Sequence, residues 1–248
     1  MKLLAVDTST GWQSVAILDG ATVLARSDQD AAGAHARWLV PTIDRLLTES
    51  GLSLSGLDGL AVSIGPGSFT GLRVGLSTML GFRTITGLPL ASVPTLEALA
   101  WNQRDVGRTL CPILKSRTGE VYWALYRWTS ETELVRLSEE RVGMCQALAE
   151  SVAGPIVVLG EGWVSNRDAL RQEFTARSVA VEEAAPAAMA ASAVSVGRAG
   201  QERLARGETA GPGVAPFYVQ RAEAEVAWER RVPAAASGRS QEGVRGRR

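Results

Sequence analysis

The sequence predicts an α/β protein built as two successive lobes, and three observations carry that prediction. Two blocks of the chain follow one another, each opening on three strands and continuing as alternating helices and strands. The 248 residues are 46% hydrophobic and 21% charged, a globular balance with room for one large domain or two modest lobes. In the first block a loop with three glycines in seven residues, Gly65–Gly71, joins a buried strand to a helix. The two blocks share little sequence, so the duplication rests on element order.

Residues 2–6 read as a buried strand closed by Asp7, and strands at 13–18 and 22–26 follow across the Asp19-Gly20 turn. A helix over 35–50 carries Leu39, Ile43, Leu46 and Leu47 at helical spacing and stops at Gly51. Pro41 inside it predicts a kink or a late start. A strand at 59–64 enters the glycine loop, a helix runs from Gly71 to Thr86, and a strand at 89–93 closes the block. The second block opens with strands at 109–114, 120–128 and 132–137, with Thr118-Gly119 in its first turn. A helix near 143–151, a strand at 155–159, a helix near 163–174, a strand at 178–182 and an Ala-rich helix over 186–206 complete it. The expected lobes are 1–105 and 106–221, and 222–248 is expected to be a largely disordered basic tail.

Charge and composition exclude several classes. Lys plus Arg is 26 and Asp plus Glu is 26. Residues 230–248 hold six Arg against one Glu, so the tail carries +5 and the remaining chain −5. That is a poor balance for binding nucleic acid through overall charge, although the tail could add a salt-sensitive, sequence-independent term to such binding. Cys111 and Cys145 cannot make a disulfide framework or a Cys-rich zinc site. Four apolar residues between Lys2 and Asp7 make no signal-peptide core. The longest charge-free stretches, 59–72 and 184–197, have 14 residues each, below the roughly 18 that cross a bilayer. A cytoplasmic protein without a membrane partner is expected.

Two loops could hold an anion. Asp7-Thr8-Ser9-Thr10-Gly11 can offer N–H and O–H groups to a phosphate, with Asp7 placed to hold a metal-bound water. A tight turn whose hydroxyls bond the backbone is the competing reading. The Gly65–Gly71 loop can cradle an anion at a helix start capped by Ser68 or Thr70, or serve as a plain joint. It is not a P-loop, since the spacing fails and no lysine lies between Lys2 and Lys115. Nor does it have the G-x-S-x-G spacing of a nucleophile elbow.

His35 is the sole histidine, which excludes His-rich metal sites and leaves no nucleophile–base pair marked nearby. Tyr122, Trp123, Tyr126 and Trp128 put rings on both faces of one strand, which reads as core and not as a base-stacking platform. The helix at 71–86 stands apart. At about 100° per residue Gly71, Gly75, Thr78, Phe82 and Ile85 form one stripe, and Leu72, Leu76, Met79 and Leu80 a second. Its only charges are Arg73 and Arg83, so it is either buried in its lobe or turns one stripe to another protein.

Together these residues resemble the TsaB (YeaZ) family of bacterial tRNA threonylcarbamoyladenosine synthesis. The matching strings are Leu4–Thr10, His35 with Leu39, Pro41 and Ile43, Gly65–Gly75, Pro89-Leu90 with Ser92–Ala100, Gly119–Ala124 and Pro216–Arg221. The likeness spans about residues 2–221. It implies an actin-like (ASKHA) fold of two ribonuclease H-like lobes, each a mixed sheet flanked by helices. It also implies a noncatalytic scaffold and activating subunit, without catalytic residues or metal of its own. Such a subunit forms a heterodimer with TsaD, which modifies the adenosine beside the anticodon in tRNAs that read codons beginning with A. TsaE joins the complex, tRNA is bound through it, and the same surface could make homodimers when TsaD is absent. Any ATP or ADP would sit at the junction with the partner, leaving Asp7, Thr8, Ser9 and Thr10 as a vestigial phosphate loop. The implied interface comprises His35, Leu39, Ile43, Gly71, Leu72, Gly75, Leu76, Thr78, Met79 and Phe82. One departure stands out: Lys115-Ser116-Arg117 replaces the family's usual Asp-Ala-Arg, which removes the second-lobe acid that actin-like ATPases place near phosphate. The alternative is a free-standing actin-like ATPase or small-molecule kinase using Asp7–Thr10 and Gly160-Glu161-Gly162. An endopeptidase is weaker still, since a nucleophile–base pair would need His35.

Overall fold

Short apolar runs that alternate with amphipathic helices assemble two sheets, which the computed structural model describes over residues 1–219. The basic tail and the last two residues of the Pro216–Arg221 match lie outside the described residues. β1 (Lys2–Asp7) is buried almost throughout and pairs antiparallel with β2 (Trp12–Asp19), which turns into the edge strand β3 (Thr22–Asp30). α1 (His35–Glu49) leads to β4 (Gly59–Gly65), parallel to β1. α2 (Phe69–Thr86) then leads to β5 (Leu90–Pro94), parallel to β4, giving the order β3-β2-β1-β4-β5. Strands enclosed on both faces read as continuous apolar runs, which is why β1 and β4 were legible.

α3 (Thr95–Ala100) crosses to the second lobe, where β6 (Thr109–Lys115) takes the central place that β1 has in the first. β7 (Glu120–Trp123) and β8 (Tyr126–Trp128) lie antiparallel to β6, and β9 (Leu134–Arg136) pairs with β8. β10 (Arg141–Met144) pairs with β7 and runs into α4 (Cys145–Glu150). β11 (Ile156–Leu159) is parallel to β6; α5 (Glu161–Ser165) and α6 (Arg167–Ala176) precede β12 (Val181–Glu183), parallel to β11. The path β10-β7-β6-β11-β12 repeats β3-β2-β1-β4-β5 with the same strand senses. The duplication read from element order is thus present as topology.

Several expected elements differ. The strand expected at 120–128 breaks at Ala124-Leu125, where Leu125 N–H donates to Ser138 Oγ (2.9 Å) and Leu125 C=O accepts from Leu137 N–H (2.7 Å). The helix expected near 143–151 begins as β10, because antiparallel pairing with β7 overrides local helix preference. The helix near 163–174 is two helices, broken at Asn166, whose amide donates to Gly162 C=O. The Ala-rich helix is confined to α7 (Ala193–Ala205), capped by Ser192, with only a 3-10 turn at Pro186–Ala188 before it. Pro41 does not delay α1, which starts at His35.

The largest revision concerns α7. It packs on β1, β2, β4 and β5 of the first sheet, not on the second lobe that precedes it. Ala193, Val196 and Ala199 join Leu3, Ala5, Ala16, Leu18, Ala61 and Ala91 in one buried cluster. Beyond it Ala210 N–H donates to Leu90 C=O and Phe217 N–H to Ile64 C=O, each at 2.7 Å. The chain from α7 onward therefore covers the first sheet, and a second lobe drawn as 106–221 does not follow the packing. Across that sheet, α1 and α2 enclose the other face through Leu4, Val6, Val15, Ile17, Leu39, Ile43, Leu76 and Met79. Among the described residues no helix is long and apolar enough to cross a membrane.

Candidate functional site

β1 delivers Asp7 to the end of a buried strand, where its side chain has almost no contact with solvent. Its Oδ1 accepts from Ser9 N–H (3.0 Å) and Ser9 Oγ–H (2.9 Å), while its Oδ2 has no hydrogen-bond partner among the described residues. Burial pushes the Asp7 carboxyl above the usual carboxylate range, against the pull of the Ser9 hydrogen bonds, the neighbouring Ser63 hydroxyl and His35. His35 is itself buried at the start of α1, with Nε2 3.0 Å from Thr10 C=O.

Several of the donors that could cradle a phosphate here are used internally. Ser68 N–H donates to Ser9 C=O (2.7 Å), Gly71 N–H to Ser68 Oγ (3.2 Å), Trp12 N–H to Thr10 Oγ1 (3.1 Å) and Thr8 Oγ1–H to Gly71 C=O (2.8 Å). The glycine loop lies directly on the Asp7 turn. A Cβ at Gly67 (φ +154°) would stand 2.2 Å from Ser9 C=O, and one at Gly71 or Gly75 would stand 2.1 or 2.3 Å from Thr8 oxygens. These glycines let α2 press on the turn, which is the joint that was the competing reading of the loop.

In the second lobe β6 ends at Lys115, the position that β1 gives to Asp7 in the first. Glu161 at the start of α5 is raised chiefly by burial; the Lys115 ammonium opposes that shift and the Asp7 charge adds to it. Glu161 thus lies within electrostatic reach of both Lys115 and Asp7. Gly160-Glu161-Gly162, the second half of a possible nucleotide site, is pressed onto β6, with an added Cβ at Gly160 standing 2.1 Å from Ile113 C=O. Among the described residues no group of three or more His, Cys, Asp or Glu could hold a metal ion.

The helix pair sorts differently from its sequence stripes. Gly71, Leu72, Gly75, Leu76 and Met79 of α2, and His35, Leu39 and Ile43 of α1, are buried in their own lobe. Most of the expected interface set is therefore interior, because the two stripes adjoin and over residues 71–79 both turn largely toward the sheet. Thr78 and Phe82 lie half-buried at the margin. Facing out are Arg73, Ser77, Gly81, Thr84 and Ile85 on α2, with Ile85 74% exposed, and Trp38 and Val40 on α1. The hydroxyls of Thr78, Thr84 and Thr86 donate to carbonyls four residues back (2.7–2.8 Å), which leaves methyl groups to the outside.

Beside this face is a cluster that sequence reasoning missed. Tyr218 stacks on Phe69 (ring centroids 5.0 Å), Arg73 sits 3.8 Å over the Phe69 ring, and Arg73 Nε–H donates to Tyr218 Oη (2.9 Å). Nothing in local sequence joins positions 145 residues apart.

Residues 27–228 match the family model described as TsaD, tRNA N6-adenosine threonylcarbamoyltransferase. The tRNA threonylcarbamoyladenosine biosynthesis protein TsaB of Escherichia coli (strain K12) is 35% identical over 172 residues, covering 66% of this chain and 72% of the relative. The solved structure of YeaZ from Pseudomonas aeruginosa superposes with a TM-score of 0.72 at 28% identity, covering 88% of this chain and 99% of that one. A ROK hexokinase from Thermus thermophilus superposes at 0.52 with 10% identity over 83% of this chain and 100% of its own, a likeness of fold alone.

Proposed function

Since the chain belongs to the TsaB (YeaZ) family, we propose that it serves tRNA threonylcarbamoyladenosine synthesis as a noncatalytic subunit that binds and activates a TsaD-type transferase. The partner carries the transfer to the adenosine beside the anticodon, a TsaE-type ATPase joins the assembly, and tRNA is engaged by the whole. Any ATP or ADP belongs to the junction between subunits.

The observation that carries the noncatalytic reading is the closed Asp7 turn. Both Ser9 donors and the Ser68 N–H are bonded within the two loops, the Asp7 carboxyl is buried, and Lys115 stands where the second lobe would present a carboxylate. The partner-binding reading is supported by the outward face of α1 and α2, which is almost free of charge on the α2 side and offers Ile85, Trp38 and Val40.

Steady-state phosphate release by the purified chain, with Asp7→Ala as control, tests the first part, and threonylcarbamoyladenosine formed on tRNA with and without the chain tests the second. The chain alone is expected to show no Asp7-dependent turnover and to raise product formation by the TsaD-type partner. An Asp7-dependent rate of about one per second without the partner would overturn the noncatalytic reading. No stimulation of the partner would overturn the activating role.

A further inference from the structure

Two adjoining cavities mark the edge of the first lobe, where β2 and β3 meet the segment that enters α7. One, of about 500 Å³, lies between Trp12 and Arg26 on the sheet side and Ser192, Ser195 and Arg198 on the other. The second, of about 570 Å³, is walled by Trp101, Arg104 and Glu202. Asn102 and Arg198 line both, so the two form one groove divided at Arg198.

The chemistry of this groove is lopsided. Trp12 leaves 51% of its surface exposed at the rim. Arg104 and Arg198 are exposed and form no ion pair among the described residues, whereas Arg108, Arg167, Arg171, Arg177, Arg203 and Arg206 all meet carboxylates. Arg26 is tied to Asp28, and three arginines face two carboxylates, Asp28 and Glu202, along the walls. The polar floor is already satisfied: the Ser195 hydroxyl donates to Asn102, whose amide donates to Ala188 C=O (3.3 Å) and Ala190 C=O (2.8 Å). The groove therefore offers a ring face, the guanidinium of Arg198 free of any ion pair among the described residues, and that of Arg104 held over the Trp101 and Trp128 rings (5.6 and 4.9 Å), with few free donors for reading the edge of a base.

We propose that this groove holds a single-stranded segment of RNA, one base stacked on Trp12 and the backbone phosphates on Arg198 and Arg104. Stacking plus cations without edge reading is the pattern of sequence-tolerant single-strand binding. A base within a duplex could not reach the ring. Each cavity has the volume of a small-ligand site, and Arg198, at their division, stands where the phosphate linking two nucleotides would pass. The proposal rests on the reading of this chain as part of a tRNA-modifying assembly.

The test is fluorescence anisotropy of a labelled single-stranded RNA of about ten nucleotides, titrated with the full chain and with its assembly with the TsaD-type subunit. Arg198→Glu is expected to weaken binding roughly 10-fold at low salt and to lower the salt slope by about one. Trp12→Ala should weaken it roughly 5- to 100-fold and leave the slope unchanged. Arg141→Glu, an exposed arginine on β10 outside the groove, makes the same charge change and is expected to do little. All three sites are exposed, and thermal midpoints confirm folding of each variant. The proposal falls if RNA binds in neither form, if Trp12→Ala binds like the parent, or if Arg141→Glu matches Arg198→Glu. It falls too if adenosine monophosphate binds as tightly as the RNA, which would assign the groove to a free nucleotide. Loss of partner stimulation with RNA binding at Trp12 intact would overturn the functional reading alone; the reverse pattern would overturn only the groove.

Discussion

Glu140 is a residue whose ionisation the fold alters within the neutral range. Burial lifts its carboxyl to about 7, helped by the charges of Glu97 and Glu139 and opposed by Arg136 and the Tyr126 hydroxyl, which donates to Oε1 at 3.4 Å. Its Oε2 has no hydrogen-bond partner among the described residues. The folded state therefore keeps a proton that the unfolded chain releases above its ordinary value of 4.5. Stability from this group is greatest below that value and is lost as pH rises toward 7. After allowance for its partial exposure, the loss between pH 5 and pH 8 is on the order of 1–3 kcal/mol. Urea unfolding at the two pH values should show that loss in the parent and a smaller one in Glu140→Gln. Equal losses would mean that the carboxyl is charged in the folded protein at pH 7.

At the scale of an element, α2 has one inner and one outer side, and substitutions on them should fail differently. A side chain at Gly75 would collide with Thr8, and a carboxylate at Leu76 would be buried without a partner, so Gly75→Arg and Leu76→Glu are expected to cost about 3–5 kcal/mol and disrupt folding. On the outer side a Cβ at Gly81 meets nothing within 4 Å, and Thr84 is exposed. Gly81→Arg and Thr84→Arg should keep the circular dichroism of the parent. If this face is the centre of the partner interface, each should weaken binding by about 2–4 kcal/mol, roughly 30- to 1000-fold. Calorimetric titration with the TsaD-type subunit reads the effect; two folded variants that bind like the parent would rule the face out.

For the whole molecule, the return of α7 to the first sheet makes the lobes interdependent. A fragment ending at residue 105 keeps β1 to β5, α1 and α2 yet uncovers Leu3, Ala5, Ala16, Leu18, Ala61 and Ala91, which α7 shields in the full chain. α3 binds the halves further, since Glu97 takes a two-point ion pair from Arg203 (2.6 and 3.2 Å) and Trp101 meets Trp128 edge-on at 4.8 Å. The fragment 1–105 is expected to be unfolded or aggregated by circular dichroism and size-exclusion chromatography, at concentrations where the full chain is monodisperse. A soluble fragment with a cooperative thermal transition would show that the first lobe stands without α7.

The sequence by itself determined the two-lobe order, the buried strands, the burial of Trp123, Tyr126 and Trp128 in the core, and the family, because those features are written in local periodicity and in one long glycine-loop string. It placed the Asp7 turn and the glycine loop but left their role open between phosphate cradle and joint. Only the tertiary structure shows the two packed against each other, because that contact joins Thr8 or Ser9 to residues about sixty positions later. The sidedness of α2 was ambiguous for a related reason: small and large apolar residues at adjoining angles fit either one wide buried face or two separate ones, and only the sheet behind the helix distinguishes them. The break at Ala124-Leu125, the pairing of β10 and the landing place of α7 are likewise set by partners distant along the chain, which no local pattern encodes.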